Sequence, residues 1–170
     1  EQSKNRVFFM RYDVRFPEGM NEHIDNKLVR DFQASFMKNL NRQKLKPQYL
    51  LVREQSQEKH QHYHGILWLE GHETQSIVRH ITTAERLWSS RLGLPPRESG
   101  YGLIDDCTKN RSGKRQTNGM MLRRDDPDYE AKKADCLRRA SYLAKINTKS
   151  STPQGQRELF SSRIPQVTEE

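Results

Sequence analysis

The sequence predicts an α+β domain of ferredoxin-like type, in which an antiparallel sheet carries helices packed on one face. Three observations predict it: a cleanly alternating strand near the start, a strongly amphipathic helix directly after it, and two strands joined by a link short enough for a hairpin. The full order reads strand, helix, strand, strand, helix, strand or hairpin, helix, with no internal repeat.

The first strand runs from Val7 to Phe16. Phe8, Met10, Tyr12, Val14 and Phe16 fall on one face and Arg11, Asp13 and Arg15 on the other, the pattern of a strand half buried and half charged. Pro17 and Gly19 end it. Asn21 is placed to cap a helix whose apolar positions recur at Ile24, Leu28, Phe32, Phe36 and Leu40, widened by Val29 and Met37. After Pro47, Gln48 to Glu54 forms a second strand. The polar turn 55–59 leads into a third, His60-Gln61-His62-Tyr63-His64-Gly65-Ile66-Leu67-Trp68-Leu69. Ile77, Ile81, Ala84, Trp88 and Leu92 then recur at helical spacing until Gly93 and Pro95-Pro96 stop them. Periodicity weakens between Arg97 and Arg124, where Tyr101–Ile104 and Gly119–Leu122 read as short strands around a basic loop, 109–115. Asp126-Pro127 opens a last helix reaching about Ile146, with Asp128 and Glu130 near its positive end.

Residues 1–147 thus form one domain, and 148–170, rich in Ser, Thr, Gln, Pro and Glu, read as a mobile tail or linker with a short turn at Glu158-Leu159-Phe160. The chain opens on Glu1 rather than Met, as an excised domain would.

Charge narrows the partner. The 170 residues carry a net charge of +8 with only 32% hydrophobic residues, and the pI is near 9.6. That balance favours a polyanion, of which nucleic acid is the usual one. No apolar run is long enough to span a membrane, and no polybasic run flanks an apolar anchor, which argues against a membrane partner. Cys107 and Cys136 have neither disulfide-framework nor CxxC spacing and read as thiols of a reducing cytoplasm.

In a strand, His60, His62 and His64 project from one face, where imidazoles can converge on one cation. Glu54, at the end of the preceding strand and on the face of Leu50 and Val52, lies across the turn from them. Two imidazoles and a carboxylate leave coordination positions for substrate. They suit manganese or magnesium when phosphate oxygens complete the shell, and zinc is also compatible. His60 is the alternative third ligand.

On the last helix Tyr142 and Lys145 are three residues apart and share a face, with Arg138 four before the tyrosine. A free tyrosine titrates at about 10 and is a weak nucleophile at neutral pH. A neighbouring cation, or a metal polarising the target phosphate, favours attack by the phenolate.

Taken together, these motifs resemble the HUH endonucleases of the rolling-circle replication initiator (Rep) type. Val7–Val14 resembles their hydrophobic first strand, His62-Tyr63-His64-Gly65-Ile66-Leu67 their histidine–hydrophobic–histidine motif, and Tyr142-Leu143-Ala144-Lys145 their tyrosine motif. The opening Phe8–Asp13 and the HYHGILWL strand look most like inovirus and prophage replication proteins. The resemblance spans residues 7 to 146. It implies an HUH fold with Glu54, His62 and His64 as metal ligands, and a nickase in which Tyr142 forms a 5′-phosphotyrosine link while Lys145 assists. The implied partner is single-stranded or hairpin DNA at a replication origin, with a host helicase or polymerase as possible associates. Because Gln61 is polar, His62 with His64 matches the motif better than His60 with His62.

Arg11, Arg15, Lys114, Arg115, Arg138 and Arg139 are the candidate DNA-backbone contacts. Two points depart from the family pattern. The His64-to-Tyr142 interval is long because of the basic 97–124 region, and Tyr129 competes as nucleophile. Two other functions fit the same residues: an HUH transposase with one tyrosine, and a non-catalytic nucleic-acid module that stacks bases on Phe9, Tyr49 or Tyr63.

Overall fold

The computed structural model describes residues 6–20, 25–56, 59–147, 155 and 157–163, without the side chains of 55, 56, 59, 60, 146 and 147. Its elements are β1 (Arg6–Arg15), α1 (Lys27–Arg42), β2 (Gln48–Ser56), β3 (Lys59–Glu70), α2 (Val78–Arg91), β4 (Ile104–Asp105), β5 (Met120–Arg123), α3 (Tyr129–Asn147) and β6 (Leu159–Ser161). The six strands form one sheet in the order β4-β1-β3-β2-β6, with β5 also on β1. All pairings are antiparallel. The α+β class and antiparallel sheet agree with the sequence reading.

The alternation of β1 decides which residues meet which layer. Phe8, Met10, Tyr12 and Val14 join Tyr63, Leu67 and Leu69 of β3 and Leu51 of β2 in the larger core. Against it, α1 lays Val29, Phe32, Phe36 and Leu40, and α2 lays Ala84 and Trp88. Aromatic edges lock this layer. Phe32 packs on Trp88 with ring centroids 5.4 Å apart, and Tyr12 meets Phe36 edge-on at 5.9 Å.

The third helix departs from expectation. Rather than joining α1 and α2, α3 packs on the opposite face, where Cys136 and Leu143 form a second core with Phe9, Val52, Ile66 and Leu122. The physical reason lies in the strands: β3 and β2 are apolar on both faces along much of their length, so each face needs cover. Cover on both faces removes the aromatic platform of a base-stacking module: Phe9 is buried in the second core, Tyr63 is buried in the larger one, and Tyr49 packs against the larger one.

Two further corrections concern the ends. Leu159–Ser161 is a strand on the free edge of β2, pairing Leu51 with Phe160, where the sequence suggested a turn. Asn26, and not Asn21, precedes α1; Asn21 and Ile24 lie outside the described residues. α3 begins at Tyr129, later than the Asp126-Pro127 opening expected, and Asp126 lies in the preceding turn, where its carboxylate accepts from the Asp128 amide at 3.1 Å and from Lys132 at 2.5 Å. Among the described residues no helix is long and apolar enough to cross a membrane.

Candidate metal centre

The β2–β3 hairpin sets Glu54 directly opposite His62 and Val52 opposite His64. With a two-residue repeat, Glu54, His62 and His64 therefore point from the same sheet face. Their donor atoms all lie within 4.8 Å of one another. Both imidazoles turn Nε2 toward a single Glu54 oxygen, Oε2, at 2.6 Å from His62 and 2.8 Å from His64. The two rings meet edge-on, 4.7 Å between centroids.

Asp13 is the member that sequence reasoning missed. β1 pairs with β3 so that Asp13 lies directly across from His64, and its Oδ1 is 2.9 Å from His64 Nδ1. With Nδ1 engaged, Nε2 is the nitrogen left to face the cluster. The available signal was the charged face of β1, Arg11-Asp13-Arg15 by alternation, though nothing in the sequence stated its register against β3.

The site's protonation follows from this geometry. Burial alone would depress His64, but the hydrogen bonds and charges of Asp13 and Glu54 outweigh it and raise the imidazole above its ordinary value. Burial would likewise raise Asp13, yet the His64 hydrogen bond, helped by its charge and by Arg11, holds that carboxyl below the usual range.

The layer beneath keeps both ligand strands in place. Tyr63, between the two histidines, points to the other face, where its hydroxyl donates to Asn26 Oδ1 at 2.6 Å. Arg53, beside Glu54, is fully buried and donates to the same oxygen at 3.1 Å. Asn26 Nδ2 in turn donates to the Arg157 carbonyl at 2.8 Å, so the α1 start, both ligand strands and the entry to β6 share one polar knot. Gly65 lets β3 pass Tyr12: a Cβ there would lie 2.2 Å from the Tyr12 ring.

Glu54, His62 and His64 are thus brought together. The donor set, two imidazole nitrogens and one carboxylate oxygen converging at one point, fits a divalent cation. The side chain of His60 lies outside the described residues.

Tyr142 and Lys145 are exposed on α3, Tyr142 by 61%. The neighbouring Leu143 packs with Val52 and Ile66, each two residues from a candidate ligand on the same strand face, so α3 covers the face that carries the cluster. Tyr129 is half-buried in that second core, with Lys133 Nζ 5.7 Å over its ring.

The basic residues separate into two kinds. Lys114 and Arg115 are exposed on a loop. Arg15 bridges Asp105 at 2.8 Å, and Arg11 approaches Asp13 at 3.9 Å. Arg138 pairs with Asp135, while Arg139 is mostly buried, donating Nε to Asp135 at 2.8 Å and NH1 to the Thr117 carbonyl at 2.6 Å. Arg139 is therefore a strut between α3 and the loop before β5.

No curated protein matches the chain. Among solved structures, the catalytic domain of the adeno-associated virus type 5 Rep protein is similar at 13% identity and a TM-score of 0.38, over 82% of this chain and 99% of that one. The family comparison is more extensive, matching residues 2–160, and through it the chain belongs to the YagK/YfjJ C-terminal domain family.

Proposed function

We propose that this domain is a divalent-metal-dependent DNA endonuclease of the HUH type, which nicks one strand at a replication origin to start rolling-circle synthesis. The observation that carries the reading is the convergence of Glu54, His62 and His64 on the sheet face covered by the tyrosine-bearing α3. Glu54, His62 and His64 would hold manganese or magnesium, which supplies Lewis-acid polarisation of the scissile phosphate when bound.

The chain's own groups account for the remaining chemistry. Tyr142 Oη gives up its proton and attacks phosphorus, the bond from phosphorus to the 3′ oxygen breaks, and the departing 3′ oxygen takes up one proton, leaving a 5′-phosphotyrosine ester and a free 3′-hydroxyl. Lys145, three residues on, offsets charge on the phenolate and the phosphoryl oxygens. Asp13 keeps His64 in the tautomer that leaves Nε2 for the ion. Exposure of Tyr142 supports its role, since the nucleophile must reach a phosphate carried by a macromolecule. The burial of Phe9 and Tyr63 counts against a base-stacking module without catalysis.

The test is a denaturing gel after incubation with labelled hairpin and single-stranded DNA from the native origin region plus manganese. A protein–DNA adduct that disappears with EDTA and with Tyr142→Phe supports the nickase. DNA binding without any adduct across that pool sinks it, and an adduct that survives Tyr142→Phe moves the nucleophile elsewhere.

A further inference from the structure

The loop between β4 and β5 is a built element. From Cys107 to Arg124 the chain contains no acidic residue. Lys109, Arg111, Lys114 and Arg115 are all exposed, and none takes part in an ion pair among the described residues. A loop under no constraint would spread such charges apart. Here the backbone that carries them is folded into a closed, bridged turn.

The holding groups are polar and local. Lys109 and Arg115 form an antiparallel bridge. Asn110 Oδ1 accepts from the Ser112 amide, the Ser112 hydroxyl and the Lys114 amide at 3.1, 2.7 and 2.9 Å, and Gly113 takes the left-handed turn with φ of 78°. Gln116 closes the stem, its amide donating to the Thr108 carbonyl at 2.9 Å and its side chain to the Cys107 carbonyl at 2.9 Å.

The base of this tongue joins both halves of the candidate active site. Asn118 Oδ1 accepts from the Arg11 amide and its Nδ2 donates to the Arg11 carbonyl, both at 2.8 Å. That clamps the tongue to β1 two residues from Asp13. On the other side, Arg139 reaches the Thr117 carbonyl from α3, three residues before Tyr142.

We infer that residues 107–118 form a rigid cationic arm that grips the DNA backbone beside the scissile phosphate and sets which phosphate reaches Tyr142. The inference rests on the nuclease reading for its consequence, but its binding arm is measurable without cleavage. The four cations, displayed on a stem tied to β1 through Asn118 and to α3 through Arg139, suit the successive phosphates of a DNA strand. Phosphate contacts carry no sequence information but fix register, which is what choosing one bond requires.

The experiment uses a fluorescein-labelled DNA hairpin with a single-stranded flank from the native origin region, first in EDTA. Neutralising Lys109→Gln, Arg111→Gln, Lys114→Gln and Arg115→Gln together leaves the Asn110 and Gln116 bonds intact. Binding should weaken at least tenfold near 0.1 M salt, and the slope of log affinity against log salt should flatten by about 2–4. Unchanged affinity and slope would leave a solvated basic tip and overturn the proposal, whatever the nickase does. With manganese added, Asn110→Ala keeps all four charges but loosens their frame. Nicks should spread from one phosphate to its neighbours, whereas nicking at one unchanged phosphate overturns the positioning role. If neither protein nicks DNA, the nuclease reading fails, and the salt slope still decides whether the arm binds.

Discussion

Asp13 Oδ1 lies 2.9 Å from His64 Nδ1, straight across the β1–β3 ladder, while the opposite ring nitrogen faces Glu54 at 2.8 Å. The histidine is therefore gripped at both nitrogens by carboxylates from two different strands, and one edge of the ring is set before any ion arrives. An Asp13→Asn variant keeps an oxygen beside Nδ1 but drops the charge that orients and enriches the imidazole. Manganese affinity, measured by titration calorimetry, should fall about 10- to 100-fold. Affinity equal to that of the unaltered domain would reduce Asp13 to a solvated neighbour.

The ligands themselves give a cleaner loss. At a manganese concentration of 100 times its dissociation constant, an intact site gains about 2.7 kcal/mol of stability from the ion. His62→Ala removes one of two nitrogens at a partly buried position that belongs to neither apolar core, so the apo fold should persist while the manganese-induced rise in melting temperature vanishes. A rise of the original size in that variant would exclude His62 from the site and return attention to His60.

Much of this arrangement was legible in the residues. The alternation of β1 and β3 states which side chains share a face, so the Glu54–His62–His64 cluster followed once the short hairpin was recognised. The position of Asp13 depended on the register of β1 against β3. That register is decided by the pairing of Tyr12 with Gly65 and by core packing across two strands distant in sequence. The side taken by α3 was hidden for a different reason: its buried contribution rests on Cys136 and Leu143, too few to show a stripe on a helix otherwise charged and exposed. Leu159–Ser161 has the least local signal of all. It becomes a strand because the edge of β2 offers unpaired backbone groups and Phe160 finds the core.

Gly65 is the narrowest point between the core and the site. A methyl group there would sit 2.2 Å from the Tyr12 ring, and that ring cannot swing away because it is fully buried and its hydroxyl donates to Gln33 at 2.7 Å. Gly65→Ala should destabilise the fold by about 1–3 kcal/mol or more in urea unfolding. The displaced segment includes the adjacent His64, so manganese affinity should drop alongside. Full stability and full affinity together would show that β3 has slack at this point.

Acid stability depends on a second histidine, remote from the cluster in the β3–α2 region. His80 is buried beside Phe8, and its Nε2 shares a 2.6 Å hydrogen bond with Thr74 Oγ1. Burial first, and then the charge of Arg79, push its pKa from 6.5 down to about 4. Between those values the unfolded chain binds more protons at this position than the folded one. Its contribution is thus fully present above pH 6.5 and is lost progressively as pH falls toward 4. His80→Gln keeps a hydrogen-bonding partner for Thr74 and removes the titration. Melting temperatures followed in EDTA from pH 7 downward should decline more steeply for the unaltered domain than for the variant. Parallel curves would mean that His80 gains its proton without unfolding cost, through an opening of the α2 start that leaves the sheet and its metal-bearing face undisturbed.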